Sequence, residues 1–185
     1  KGDGSNQIVV DATFGGGGHS ELLCKKYPKV QVIALDQDKS AFKKAGSKFE
    51  NLNCNIKFVN SNFRNLDKAL VAEGVEKVDG ILFDLGLSSD QLENSLRGFS
   101  FMKDEKLLMT MKDNPSREDL TAMDIVNTWG EENLATIIYG YGEEKFSRRI
   151  AKAIVDARQK KKIETTFDLV QIIESAVPGG YKKGR

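Results

Sequence analysis

A run of four glycines follows directly on a short apolar segment near the start of the chain, and it restricts the fold more than any other feature. Residues 9–19 read Val-Val-Asp-Ala-Thr-Phe-Gly-Gly-Gly-Gly-His. Glycine allows a sharp turn and a close approach of the backbone to a ligand. A second apolar run, residues 30–35, ends in Asp36. Because an acid at this position of a second strand can hold the hydroxyls of a ribose, the two features together predict a nucleoside-containing cofactor.

The first hundred residues alternate short apolar runs with amphipathic stretches. Strands separated by single helices predict parallel βαβ units with right-handed crossovers. The predicted fold class is therefore α/β, a doubly wound Rossmann-like sheet. Its strands are predicted at residues 8–10, 30–35, 56–59 and 78–85, and its helices at residues 20–27, 39–49 and 66–73.

Sequence patterns typical of β-strands end after residue 103, and apolar residues then recur at helical spacing. We therefore predict two domains, a cofactor-binding sheet over residues 1–103 and a small all-helical unit over residues 104–185. A four-stranded start to a doubly wound sheet leaves one sheet edge uncovered, so we expect the sheet to be incomplete. The helices of the second half are predicted at residues 121–128, 131–139, 143–158 and 166–176.

Composition limits the possible functions. The 185 residues carry a net charge of +1, 39% of them are hydrophobic and 30% are charged, as in ordinary globular proteins. No apolar run approaches the roughly 20 residues of a membrane span, and we expect a cytoplasmic protein without a membrane partner. Cys24 and Cys54 are expected as reduced thiols, because two cysteines make no disulfide framework. His19 is the single histidine, and we predict no metal site.

The residues around the glycines favour one of two cofactor classes. A dinucleotide binder needs the spacing Gly-x-Gly-x-x-Gly, so that the pyrophosphate lies at the helix N-terminus. Gly15 and Gly17 fit this spacing, but Ser20 takes the place of the third glycine. Asp11 would lie unfavourably close to a pyrophosphate, whereas it suits the positively charged amino-acid end of S-adenosylmethionine. The loop favours S-adenosylmethionine, and a dinucleotide-dependent oxidoreductase remains an alternative.

Two further strand ends carry side chains that suit a ligand. Asp84 ends the fourth apolar run, and ligands bind beyond the carboxyl ends of parallel strands in such sheets. Its carboxylate could orient an exocyclic amine towards a methyl donor, although an acid also suits a strand-ending turn. Gln91 is near enough in sequence to share the site. Phe63 follows the third run and could lie against adenine or pack in the core.

Two segments combine cations with aromatic residues. Arg97 and Phe99 belong to the segment Arg-Gly-Phe-Ser-Phe-Met, which could stack on a flipped base or pack in the core. A basic helix follows later, and the cations at its start lie opposite or beside its apolar stripe. They could contact phosphates or form a solvated surface, and they are Lys145, Arg148, Arg149 and Lys152.

Several of these segments together resemble the ribosomal RNA small-subunit methyltransferase H family. The matching segments occur in the family's order and cover nearly the whole chain. They include Asp-Ala-Thr-Phe-Gly-Gly-Gly-Gly-His-Ser at residues 11–20, Ala-Leu-Asp-Gln-Asp at 34–38, Asp-Gly-Ile-Leu-Phe-Asp-Leu-Gly-Leu-Ser-Ser at 79–89, Arg-Gly-Phe-Ser-Phe-Met at 97–102 and Tyr-Gly-Glu-Glu-Lys-Phe at 141–146.

The resemblance implies an S-adenosylmethionine-dependent enzyme that methylates the exocyclic N4 of a cytidine in the decoding region of 16S ribosomal RNA. Its partner would be the small ribosomal subunit. The resemblance also implies that the helical half is a domain inserted into the methyltransferase sheet. The cofactor positions that it carries over are Gly17, Gly18, His19, Asp36, Phe63, Asp84 and Gln91.

The chain departs from the family pattern in two ways. Where the family reads Gly-Pro-Leu-Asp-Met-Arg-Met, this chain reads Glu-Lys-Leu-Leu-Met-Thr-Met, so Leu108 and Thr110 replace an acid and an arginine. A substrate contact made by those two residues would be lost, which leaves a non-catalytic RNA-binding or assembly homologue as a second alternative. The family also continues into further strands, so we expect this sequence to be part of a longer protein.

Overall fold

Four parallel strands, eight α-helices and one short 3₁₀-helix (Phe63–Asn65) make up the secondary structure of the computed structural model, which describes residues 5–50, 52, 54–112 and 114–179. The strands lie side by side in the order β3-β2-β1-β4, and they are β1 (Ile8–Asp11), β2 (Gln31–Asp36), β3 (Asn55–Asn60) and β4 (Gly80–Leu82). The helices are α1 (Gly18–Lys26), α2 (Lys39–Glu50), α3 (Leu66–Ala72), α4 (Ser89–Asn94), α5 (Ala122–Thr128), α6 (Glu131–Gly140), α7 (Ser147–Arg158) and α8 (Thr166–Ala176).

Both faces of the sheet are covered by helices, which confirms the predicted doubly wound α/β class. Helices α1 and α2 pack on one face, around Phe14, Phe49 and the side chains of β2 that point to that side. Helix α3 packs on the opposite face, around Ile33 and Leu35. The chain changes face when it leaves β3, and β1 and β4 are neighbours at the point where the strand order reverses. In open α/β sheets this switch point is the usual place for a ligand.

Strand β2 is the most buried strand, because it pairs with β1 on one side and β3 on the other. Its apolar run is continuous, as expected for a parallel strand that is covered on both faces. Strand β4 is shorter than the predicted residues 78–85. It pairs with β1 alone in the described sheet, and this ladder ends where β1 turns into the glycine loop.

The expectation of two reduced thiols is wrong, because Cys24 and Cys54 form a disulfide. Cys24 lies in α1, and Cys54 immediately precedes β3. Both segments pack on the same face of the sheet, and this arrangement brings the two Cα atoms within 5.4 Å of each other. The pairing depends on the parallel order of three strands, which a count of cysteines does not contain.

The described chain divides into two compact units. One contains the residues up to Ser88 with Met111 and Lys112, and the other contains Ser89–Thr110 with residues 114–179. The helical unit therefore begins earlier than the predicted boundary at residue 104. Helices α5 to α8 surround a core of their own, with Leu134, Ile150 and Ile154 at its centre. Among the described residues, no helix combines the length and the apolar character needed to span a membrane.

Two of these helices begin at capping boxes, in which a threonine hydroxyl and an aspartate three residues later satisfy each other's backbone N–H groups. The pairs are Thr121 with Asp124 in α5, and Thr165 with Asp168 in α8. Helix α7 begins at Ser147 rather than at the predicted residue 143. The backbone of Glu143 has a positive φ of 51°, which a continuous α-helix does not contain.

Candidate functional site

The glycine loop joins β1 to α1 with its backbone open on one side. Gly15 and Gly17 have positive φ angles of 51° and 73°, a conformation that favours glycine. A Cβ atom on Gly17 would lie 2.6 Å from the ring of Phe14, so packing beneath the loop also requires glycine there. A Cβ on Gly16 or Gly18 would meet nothing within 4 Å. The loop is thus packed tightly below and is open above, next to the N-terminus of α1.

Asp11 shapes this loop from beneath. Its side chain is almost completely buried, with 1% exposed. One carboxylate oxygen accepts a hydrogen bond of 2.6 Å from the Ser20 hydroxyl, and the other accepts one of 3.2 Å from the backbone N–H of Thr13. The carboxylate is therefore committed to protein donors and does not face the open side of the loop. In this structure Asp11 positions the loop, and its contact with a cofactor stays a prediction.

Asp36 lies at the end of β2, directly beside the loop. Its carboxylate accepts a 2.7 Å hydrogen bond from the backbone N–H of Gly15 and a 2.9 Å hydrogen bond from that of Asp38. Burial of this carboxyl raises its pKa above the usual 3.8, and the nearby charges of Asp38 and Asp11 act in the same direction, although the two hydrogen bonds oppose the shift. A half-buried acid with such a pKa is typical of a ligand site.

The end of β4 brings Asp84 to the same edge of the sheet. The backbone N–H of Asp84 donates a 2.7 Å hydrogen bond to the hydroxyl of Thr13. His19 in the first turn of α1 places Nδ1 3.8 Å from an Asp84 carboxylate oxygen, and the two side chains are 52% and 70% exposed. The acid is therefore open to solvent at the switch point, next to the glycine loop. Sequence analysis did not single out Thr13, whose partner lies 71 residues away.

Phe63 follows β3 and presents a partly free aromatic face. Its side chain is 43% exposed, and its ring meets that of Phe83 edge-on with 5.7 Å between centroids. The side chain of Asn62 makes two hydrogen bonds that fix this loop. Its amide oxygen accepts a hydrogen bond from the backbone N–H of Arg64, and its amide nitrogen donates one of 2.8 Å to the side chain of Gln37. Phe63 is thus partly exposed after β3, where a flat ligand could reach its ring.

The remaining predicted residues belong to the helical unit. Gln91 lies in α4 and is partly buried. Arg97 is only 5% exposed, and its guanidinium lies 5.8 Å from the centroid of the Phe99 ring. Because a buried, stacked guanidinium does not face a solvent-borne phosphate or base, Arg97 and Phe99 serve packing in this structure. A contact of these two residues with RNA stays a prediction.

The four predicted cations near the start of the basic helix are all exposed. Lys145 precedes α7, and its ammonium lies 5.3 Å from the centroid of the Phe146 ring. Arg149 lies 5.8 Å from the centroid of the same ring, so one aromatic residue contacts two cations. Arg148 and Lys152 complete the exposed cationic set. Within the described ranges, no cluster of three or more His, Cys, Asp or Glu side chains could hold a metal ion.

Comparison with known proteins agrees with this arrangement. The profile of the MraW methylase family matches residues 2–185. Three curated relatives bear the name ribosomal RNA small subunit methyltransferase H: that of Clostridium botulinum (strain Kyoto / Type A2) is 46% identical over 95% of this chain, that of Finegoldia magna is 44% identical over 93%, and that of Lactobacillus delbrueckii subsp. bulgaricus is 43% identical over 97%. The chain spans 56%, 54% and 58% of the length of these relatives. On this match the chain belongs to the MraW methylase family.

Proposed function

We propose that the protein of this chain is an S-adenosylmethionine-dependent methyltransferase that methylates N4 of a cytidine in the decoding region of 16S ribosomal RNA. The observation that carries the proposal is the meeting of four features at one edge of the sheet. They are the open glycine loop, the half-buried acid that ends β2, the exposed acid that ends β4, and the partly free aromatic ring after β3. The name shared by the relatives supports the choice of a ribosomal RNA of the small subunit as substrate.

The side chains and backbone groups of this site suit the separate parts of the proposed cofactor. Asp36 would accept hydrogen bonds from the ribose hydroxyls, and Phe63 would lie against the adenine. The nine-residue helix α1 presents unpaired backbone N–H groups that suit a carboxylate. Asp84 and His19 stand beside them and suit a positively charged amine. When bound, the cofactor would supply a methyl group on a positively charged sulfur.

Asp84 is the residue that we propose for the chemical step. The lone pair of the cytosine amine is delocalised into the ring, which makes N4 a poor nucleophile. A carboxylate that accepts a hydrogen bond from this amine can hold the nitrogen about 3 Å from the methyl group and can take up the proton. Asp84 is exposed, and the Thr13 hydroxyl fixes its backbone. Both properties suit a group that meets an incoming nucleotide.

The helical unit is proposed to contact the RNA. Lys145, Arg148, Arg149 and Lys152 are exposed cations on one unit of a chain whose net charge is only +1. Clustered cations on an otherwise neutral protein favour a polyanionic partner. A ribosomal substrate would also place the protein in the cytoplasm, as expected from the sequence.

The packing beneath the glycine loop argues against the dinucleotide alternative. Ser20 is completely buried and donates to the buried carboxylate of Asp11. A serine in place of the third glycine, and an acid below the loop, both disfavour a pyrophosphate at this helix N-terminus. Titration of the chain with S-adenosylmethionine and with NADH separates the two classes, and binding of NADH alone would contradict the proposal.

The methylation itself is tested by analysis of nucleosides. Unmethylated small-subunit RNA is incubated with the protein and S-adenosylmethionine, and N4-methylcytidine is measured by mass spectrometry. We expect the product with the natural sequence and at least a tenfold smaller yield with Asp84→Asn. Cofactor binding without any product would instead favour the non-catalytic homologue. Full turnover by Asp84→Asn would refute the role of Asp84.

A further inference from the structure

A groove in the helical unit, which we call the α6–α7 groove, has no part in the cofactor site. It extends along one face of α6 and past the start of α7, and it encloses about 790 Å³. Most of the residues that line it are polar, charged or aromatic, and they include Glu131, Glu132, Tyr139, Lys145, Arg148 and Arg149.

The charges of the groove are arranged along its length. Glu131 begins helix α6, and Tyr139 lies eight residues later on the same helix. At 1.5 Å per residue these positions are about 12 Å apart along the helix axis. Only six residues separate the end of α6 from the start of α7, and Arg149 in the first turn of α7 lines the groove together with Tyr139. The groove therefore has an acidic end and an end that combines an aromatic ring with cations.

The cationic end is held in place by the turn between the helices. The buried carboxylate of Glu144 accepts a 2.8 Å hydrogen bond from the backbone N–H of Phe146. The Phe146 ring in turn carries the side chains of Lys145 and Arg149 on its surface. Tyr139, which lines the same groove, is 65% exposed. An exposed ring next to positioned cations is the usual design of a site for an unpaired nucleotide, since every base has a face that can stack.

We propose that the α6–α7 groove binds one unpaired nucleotide of single-stranded RNA. The backbone phosphate lies on Arg148 and Arg149, and the base stacks on Tyr139. Glu131 and Glu132 repel phosphates, so they fix the direction in which the nucleotide enters. This inference rests on the proposed function for its choice of RNA, and it adds a binding site made of residues other than those proposed for methyl transfer.

Fluorescence anisotropy with a ten-nucleotide oligocytidylate, without any methyl donor, tests the stacking contact. Tyr139→Ala should weaken binding at least about fivefold, the low end of the effect of losing one base–aromatic stack, and Tyr139→Phe should restore it. Tyr141→Ala is the matched control, because Tyr141 is 91% exposed and lies outside the groove lining. Equal losses in the two alanine variants, or none in either, would overturn the proposal.

The phosphate contact is tested by salt dependence. Removing one contact to a single-stranded phosphate should reduce the slope of log K against log salt by about 0.7. We expect this reduction for Arg149→Gln and no change for Arg117→Gln, an exposed arginine of the same unit outside the groove lining. An equal reduction in both variants would mean that charge acts without a local site, and would overturn the proposal.

These measurements separate the groove from the proposed methyltransferase function. If RNA binding does not depend on Tyr139 and Arg149 while N4-methylcytidine still forms, the groove proposal alone fails, and a protein partner becomes the better candidate for this surface. If the groove variants behave as expected but the chain does not bind S-adenosylmethionine, the proposed function fails and the groove remains an RNA site.

Discussion

Replacing Asp36 by asparagine tests the cofactor site at its best-defined group. The carboxylate accepts hydrogen bonds from the backbone N–H groups of Gly15 and Asp38 at 2.7 and 2.9 Å. It would also accept from the two hydroxyls of a bound ribose. Asparagine keeps the size of the side chain but removes its charge, and its NH₂ group cannot accept a hydrogen bond. The variant therefore weakens the ribose contact without opening a cavity.

The expected loss follows from the two ribose hydrogen bonds. A hydrogen bond to a charged acceptor contributes about 1.5–3 kcal/mol, against about 0.5–1.5 kcal/mol for a neutral pair. Losing about 1 kcal/mol at each hydroxyl weakens binding by about 2 kcal/mol, or about 30-fold in Kd. Isothermal titration calorimetry of S-adenosylmethionine into the natural and variant chains measures this difference directly.

Asp79→Asn is the matched control. Asp79 also uses a carboxylate oxygen to accept a backbone hydrogen bond, from Ile8 at 2.8 Å, but it lies at the opposite end of β1 from the glycine loop. We expect cofactor affinity within about twofold of the natural chain for this control. Unchanged affinity in Asp36→Asn, or an equal loss in both variants, would refute the assignment of Asp36 to the ribose.

The pH dependence of binding provides an independent check of the same group. Burial raises the pKa of Asp36 above its usual 3.8, and a proton on the carboxyl competes with the ribose hydroxyls for its oxygens. Affinity should therefore be constant at neutral pH and fall as the pH decreases through this raised pKa. Asp36→Asn should not show this decline. The same decline in the variant would mean that another group controls it.

Two further predictions concern the stability of the sheet unit. Gly17→Ala should lower the free energy of unfolding, measured in urea, by about 1–3 kcal/mol, because the new methyl group meets a phenylalanine ring and the positive φ is retained. The control is Gly16→Ala, whose methyl group meets no atom within 4 Å, and its free energy of unfolding should fall much less. Equal losses in the two variants would contradict the packing argument. The disulfide between Cys24 and Cys54 closes a loop with a sequence separation of 30, so its reduction should cost about 3–4 kcal/mol in the same assay. Thiol titration of the denatured, unreduced chain should find no reactive thiol at these positions, and two would refute the pairing.

The order of secondary structure could be predicted from the sequence because it is encoded locally. Apolar runs with the period of a strand or a helix mark each element, and the predicted strands at residues 8–10, 30–35 and 56–59 coincide with β1, β2 and β3 to within one or two residues. The end of β4 and the start of α7 were predicted less well. The first depends on where the neighbouring strand β1 stops, and the second on a positive φ at Glu143, which periodicity does not reveal.

By itself, the sequence determined which residues could meet a ligand, because strand-ending acids and glycines have a chemical character that does not depend on the rest of the fold. Asp36 and Asp84 were identified in this way, and both lie at the carboxyl edge of the sheet. Only the tertiary structure decided which candidates are buried and which protein groups they contact. It buried Asp11 and Arg97 among protein partners, joined Cys24 to Cys54, and paired Thr13 with Asp84. Burial and contacts between distant residues arise from the packing of elements, and no local pattern records them.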